Sequence, residues 1–169
     1  MSRSLCPNMS AALLQNGSMN NTDSFRLSPI AEATADALRE RAGKIYVADS
    51  KPGYPCRQCL RDAEIGEEVI LVSHDPFTTD SPYRSASPIF LHRHPCAPPV
   101  DLHELTTQLT VRRLSVRSFD RDEMMIDAAV INGDTLDGSI AELFGDEAAD
   151  KIHVHNAERG CWAVTVARA

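Results

Sequence analysis

The chain has 169 residues, 43% of them hydrophobic, and a formal net charge of −7 at pH 7. That length supplies one hydrophobic core and falls short of two comfortable ones, and the acidic balance offers no basic face to neutralise nucleic-acid phosphates. A membrane span needs roughly 18 successive apolar residues, whereas the apolar runs here are of the size of Val69–Val72, so neither nucleic acid nor membrane is expected as a partner.

The first 24 residues are rich in Ser and Asn and show no sustained period. Such a segment cannot bury enough surface to offset the entropy of ordering, so a disordered tail is expected, followed by one domain over residues 25–169. Met19 offers an alternative start, and the natural product is expected to begin there. The only apolar patch of the tail, Ala11-Ala12-Leu13-Leu14, is too short for the h-region of a secretion signal. Together with an odd number of cysteines, five, this points to the cytoplasm, where thiols stay reduced.

Phe25-Arg26-Leu27 alternates as a short strand does. Ser28-Pro29 predicts a helix start, with Ile30, Ala33, Ala37, Leu38 and Ala42 at helical spacing and Gly43 as the C-terminal stop. Lys44–Ala48 predicts a strand and residues 49–55 a turn, after which Pro55 opens a short helix or knuckle through Cys56 and Cys59. Strands follow over Glu67–Ser73 and Ile89–His94, separated by a proline-punctuated loop. The segment DLHELTTQL is one helical turn or a loop. Leu114–Phe119 then pairs with a strand near Met124–Ile131, Thr135–Phe144 is a helix, and Lys151–His155 forms a hairpin with Cys161–Ala167. This order predicts an α+β domain with a largely antiparallel sheet and two main helices.

Cys56-Arg57-Gln58-Cys59 is the sharpest chemical feature. A CxxC turns both sulfurs to one point, as zinc ligation and dithiol chemistry each require, and the spacing alone does not choose between them. Leu60 follows where c-type haem attachment needs His, and no second CxxC completes a zinc ribbon. A four-thiolate zinc site would take Cys56, Cys59, Cys96 and Cys161, with His92 and His153 as substitutes for one or two of them. Alternation places Phe90, His92 and His94 on one strand face, and His153 and His155 opposite Ile152 and Val154 on another. If those faces meet beside the CxxC, a pocket of thiols and imidazoles results. An enzyme built on it would use Cys56 as nucleophile with His92 or His153 as base. Arg57, Arg61 and Arg117, with Tyr54 and Tyr83, are the candidates for holding a small anionic ligand. Arg84, Arg93 and Arg159 are further anion candidates. His74 and His103, in loops, are expected to face solvent, and a bland reading packs Cys96 and Cys161 as inert core thiols.

These residues also carry a family resemblance. Tyr54–Arg61, Gly66-Glu67, Ser81-Pro82-Tyr83, Pro88–His92, Cys96, His153–Ala157 and Gly160-Cys161 together resemble a bacterial family known as DUF1203, a domain of unknown function, over roughly residues 25–168. The family pattern has Gly where Ser87 stands and Arg where His155 stands, which favours His92 and His153 over His155 as ligands. The resemblance implies membership and no activity. Three functional readings are therefore open: a zinc-binding protein, a Cys/His enzyme or thiol redox protein acting on a small anion, and a non-catalytic module that binds an anion or a partner.

Overall fold

The computed structural model describes residues 25–41 and 43–169. The expected tail, the start at Met19 and the helical register of Ala42 lie outside those residues. Phe25–Ser28 forms β1, and its alternating burial sets Phe25 and Leu27 inward. Ser28 does not cap a helix as its sequence context predicts, because it is used in the β1 ladder opposite Thr165 of the last strand. The first helix, α1, instead spans Glu32–Arg39 and buries Ala35 and Leu38. It stops at Glu40, and Gly43 serves a different need. A side chain there would meet the Leu71 carbonyl oxygen and the Val72 side chain, each at 2.9 Å.

Two antiparallel sheets follow. The smaller joins β2 (Lys44–Val47), β3 (Glu68–His74) and β4 (Ser87–His92) in the order β2-β3-β4. The larger contains β5 (Arg113–Phe119), β6 (Met125–Asn132), β7 (Lys151–Asn156) and β8 (Trp162–Arg168), in the order β1-β8-β7-β5-β6. A four-residue helix, α2 (Thr107–Thr110), and an eight-residue helix, α3 (Leu136–Leu143), complete the α+β domain. The β5–β6 and β7–β8 pairings are those the alternation predicts.

Period-two alternation explains which face each strand buries. Leu114 and Val116 of β5, Ile152 and Val154 of β7 and Val164 and Val166 of β8 form one cluster with Leu109 of α2 and Leu136, Ile140 and Leu143 of α3. A second cluster joins Ala35 and Leu38 of α1 to Ile70, Val72, Ile89 and Leu91 of the small sheet, with Cys56, Cys59 and Trp162. The two sheets meet through this second cluster. The Trp162 N–H donates to Ser87 Oγ at 3.1 Å, and Trp162 packs on His74 with ring centroids 5.1 Å apart. Ser87 thus ties β4 to β8 with its hydroxyl.

The β5–β6 turn carries the fold's main buried ion pair. Glu123 has φ 60°, a left-handed conformation that costs a non-glycine residue about 1 kcal/mol, and its side chain is fully buried. Its carboxylate accepts from the Thr78 and Thr79 backbone amides, from both threonine hydroxyls and from Lys151 Nζ at 2.7 Å. Burial opposes ionisation, but the bonds from Lys151, Thr79 and Thr78 outweigh it and hold the carboxyl well below its usual range. One side chain thereby docks the loop between β3 and β4 onto the large sheet. Glu123→Ala strands Lys151 and two amides, so a loss of about 3 kcal/mol or more is expected in urea unfolding. A loss below about 1 kcal/mol would show that the loop docks by other means.

Candidate metal centre

Residues 55–60 form a knuckle, not the short helix that Pro55 suggests. Pro55 bridges antiparallel to Asp62 and Cys56 bridges parallel to Phe90 of β4. The Cys56 N–H donates to the Arg61 carbonyl at 3.0 Å, closing the turn. Leu60 turns the chain with φ 50°, a value incompatible with continuing a right-handed helix. The knuckle is held from three further sides. Arg57 N–H donates to the Phe90 carbonyl at 3.1 Å, Ile30 N–H to the Arg57 carbonyl at 3.0 Å, and Gln108 Nε2 to the Cys56 carbonyl at 3.0 Å.

Because the knuckle lies along β4, it meets the residues at that strand's end. The ligand atoms of Cys56, Cys59, His92 and Cys96 all lie within 4.8 Å of one another. Cys56 Sγ is 3.7 Å from Cys96 Sγ, and Cys59 Sγ is 3.5 Å from His92 Nδ1. Cys56, Cys59 and His92 are buried, Cys96 is half-buried, and all four cysteines of the described residues are free thiols.

The surroundings stabilise negative sulfur. The His92 N–H reaches Cys56 Sγ at 3.4 Å. Hydrogen bonds from Cys59, Cys96, His92 and the Cys59 backbone hold the Cys56 thiol well below its ordinary range, against the effect of burial. Cys59, bonded to Cys56 and Cys96, is pushed up in turn, although the Arg61 backbone amide opposes this. Contact with Cys56 and then Cys96 raises His92 to about 10. On its far side, His92 Nε2 lies 3.2 Å from Glu67 Oε2, which fixes the ring with Nδ1 toward the sulfurs. Arg39, paired with Asp36 at 2.7 Å, braces the cluster. Its Nε donates to the His92 carbonyl at 3.0 Å, its Nη2 lies 4.0 Å from Cys96 Sγ, and it also bonds Gln58 Oε1.

The structure does not bring Cys161 into this cluster. Cys161 precedes β8, and its Sγ contacts the Arg159 carbonyl at 3.7 Å. The four-thiolate arrangement is therefore replaced by three thiols and His92. His153 is also elsewhere: on β7 it is wholly buried against Phe77 and Phe119, at centroid distances of 4.8 and 4.9 Å, and neither ring nitrogen has a hydrogen-bond partner among the described residues. The two histidine faces do not meet. His155 donates from Nδ1 to the Gly160 carbonyl at 3.0 Å, and His94 lies exposed beyond the end of β4.

The arginine and tyrosine candidates are scattered likewise. Arg61 is exposed and pairs with Glu67 at 3.7 Å, Arg117 bonds Ser115 Oγ within β5 at 3.2 Å, and Tyr83 packs near Phe119 at the surface. Arg84 and Arg93 form surface pairs with Asp75 and Glu68. Tyr54, Arg57 and Arg159 line a separate cavity. Neither His74 nor His103 is simply solvent-facing: His74 is the last residue of β3, not a loop residue, and packs on Trp162, and His103 Nδ1 donates to the Phe25 carbonyl at 2.6 Å. Sequence reasoning also passed over Glu67, Arg39 and Gln58. The missed signal was the pair His92-x3-Cys96, which with Cys56-x2-Cys59 makes a spacing typical of Cys/His metal sites.

Fold and cluster together define an α+β protein with a buried three-cysteine, one-histidine centre whose ligand atoms lie at metal-binding distances. Residues 53–168 match the model of a family described as "Protein of unknown function (DUF1203)", and the chain belongs to that family. Comparison with curated proteins and with solved structures gives no match. Among the described residues no helix is long and apolar enough to cross a membrane.

Proposed function

We propose that this protein binds one Zn2+ ion through Cys56, Cys59, His92 and Cys96, as a centre that holds the fold together. One observation carries the reading. Four ligands around zinc, with Zn–S near 2.3 Å and Zn–N near 2.0–2.1 Å, put sulfurs about 3.8 Å apart and sulfur and nitrogen about 3.6 Å apart. The separations in the structure are 3.7 Å for Cys56–Cys96 and 3.5 Å for Cys59–His92. A disulfide would need about 2.05 Å.

The donor set supports a structural role. Four protein ligands fill a tetrahedron and leave no position for water or substrate. Three thiolates and Zn2+ leave one negative charge, beside which Arg39 sits at 4.0 Å from Cys96 Sγ while it also pairs with Asp36 at 2.7 Å. The Glu67 carboxylate on His92 supplies the outer-shell partner that metal-bound imidazoles regularly have. Burial of Cys56, at 0% exposed, counts against its use as a nucleophile on an external substrate.

The test is metal analysis of protein purified without chelator. About one equivalent of zinc is expected, with X-ray absorption giving three sulfur neighbours and one nitrogen. Below about one-tenth of an equivalent of any metal, the proposal fails.

A further inference from the structure

A cavity of about 720 Å³ is lined by Pro55 and Arg57 of the knuckle but by neither of its cysteines. Part of its wall is aromatic: Tyr46, Tyr54 and Phe90 lie together with centroids 6.5, 5.8 and 5.2 Å apart, pair by pair. Four guanidinium side chains also line it, those of Arg57, Arg112, Arg113 and Arg159, against one carboxylate, Glu158. Arg112 is neutralised by Asp62, whose two oxygens it engages. The other three make a cationic hollow in a protein of net charge −7.

Arg57 is the unusual member, being only 2% exposed. Its Nε donates to the Trp162 carbonyl at 2.9 Å and its Nη1 to the Pro55 carbonyl. Its Nη2 has no hydrogen-bond partner among the described residues. A buried guanidinium is costly unless its donors and charge are met, and no carboxylate bonds this one. The Cys161 thiol lines the same cavity. An unpaired cationic donor beside an aromatic corner, whose rings meet at 44°, 58° and 88°, fits a ligand with an anionic head and a ring.

We propose that this cavity binds a small organic anion, a carboxylate or phosphate ester carried on a flat ring, with its charge on Arg57 and its ring against Tyr46, Tyr54 and Phe90. Arg113 and Arg159 draw such an anion toward the cavity. The reading is independent of the ion at the knuckle, because the cavity shares none of the four ligand residues.

Cys161 gives the assay. Benzoate and phenyl phosphate serve as ring-bearing probes, acetate and inorganic phosphate as ringless ones, all at equal ionic strength with the full chain. The rate of iodoacetamide labelling at Cys161 is followed by peptide mass spectrometry, and metal content is measured in the same samples. Benzoate or phenyl phosphate is expected to slow labelling at least threefold and saturably, the better probe identifying the acid group, while the ringless salts do not. No slowing by either ring-bearing probe, or equal slowing by the ringless salts, overturns the proposal. Arg57→Met should abolish the protection. Because Arg57 also holds two carbonyls, Tyr54→Leu is the second variant: with an unchanged Tm it should lose most of the protection, and full protection in that variant would overturn the assigned ring position. Since labelling and metal content are read separately, failure here leaves the zinc reading standing, and loss of that reading leaves this one testable.

Discussion

Cys59→Ser is expected to lower stability by on the order of 4 kcal/mol, a fall in Tm of roughly 10–15 °C for a domain of this size. Chelation of the wild-type protein should go further, because structural zinc contributes roughly 10–16 kcal/mol of apparent binding free energy in small sites, comparable with the whole stability of a domain. The reason lies in the packing. Cys56 and Cys59 are core members alongside Ile70, Ile89, Leu91 and Trp162, so opening the knuckle exposes the seam between the two sheets. Cys161→Ser is the control, expected to leave Tm within about 2 °C, since the structure keeps Cys161 out of the cluster. His92→Cys should retain metal where His92→Ala loses it, because a fourth thiolate can replace the imidazole. Unfolding curves with and without chelator check all four. Equal Tm values for Cys59→Ser and Cys161→Ser would contradict a structural ion.

Acid should destabilise the large sheet independently of any metal. Burial holds His153 down at about 3 and His155 at about 4, with their mutual repulsion adding to the effect on His153. Of the other charges acting on His153, Lys151 and Arg117 disfavour its protonation and Glu123 favours it. In the unfolded chain both imidazoles titrate near 6.5. Above that pH they are neutral in both states, and stability is at its plateau. As pH falls below about 6.5 the unfolded chain takes up protons that the folded one refuses, so stability declines until the pH reaches the folded values. By linkage the loss at pH 5 is about 2 kcal/mol for each histidine, about 4 kcal/mol together. His153→Leu should remove about half of that slope between pH 6.5 and 5, measured by urea midpoints. The comparison with wild type isolates the histidine from thiolate protonation at the knuckle, which both proteins share. An unchanged slope would mean that His153 is reached by water in the fold.

Much of this architecture is written in local patterns. Leu114–Phe119 alternates, and the structure buries Leu114, Val116 and Phe119 as alternation and a bulge at Phe119 dictate. The turn at Asn156–Gly160 closes with Gly160 at φ 71°, a conformation glycine adopts freely. Where reading failed, the deciding contact was distant in sequence. Ser28 has the chemistry of a helix cap, but β8, more than 130 residues on, supplies a ladder that claims it. Residues 55–60 suit a helix locally, and the parallel bridge from Cys56 to Phe90 makes them a knuckle. The same bridge selects His92 and Cys96 over Cys161, a choice no period in the sequence encodes. The two-histidine face of β7 was legible, but not that Phe77 and Phe119 cover it.

The pairing of β1 with β8 sets Phe25 opposite Arg168, so the strand that opens the fold finds its neighbour only after every other strand of both sheets has been made. The cysteine knuckle and its three-stranded partner are available once Cys96 has emerged. During synthesis the part that carries the sulfur cluster can therefore assemble early, and the larger sheet closes only once β8 has emerged.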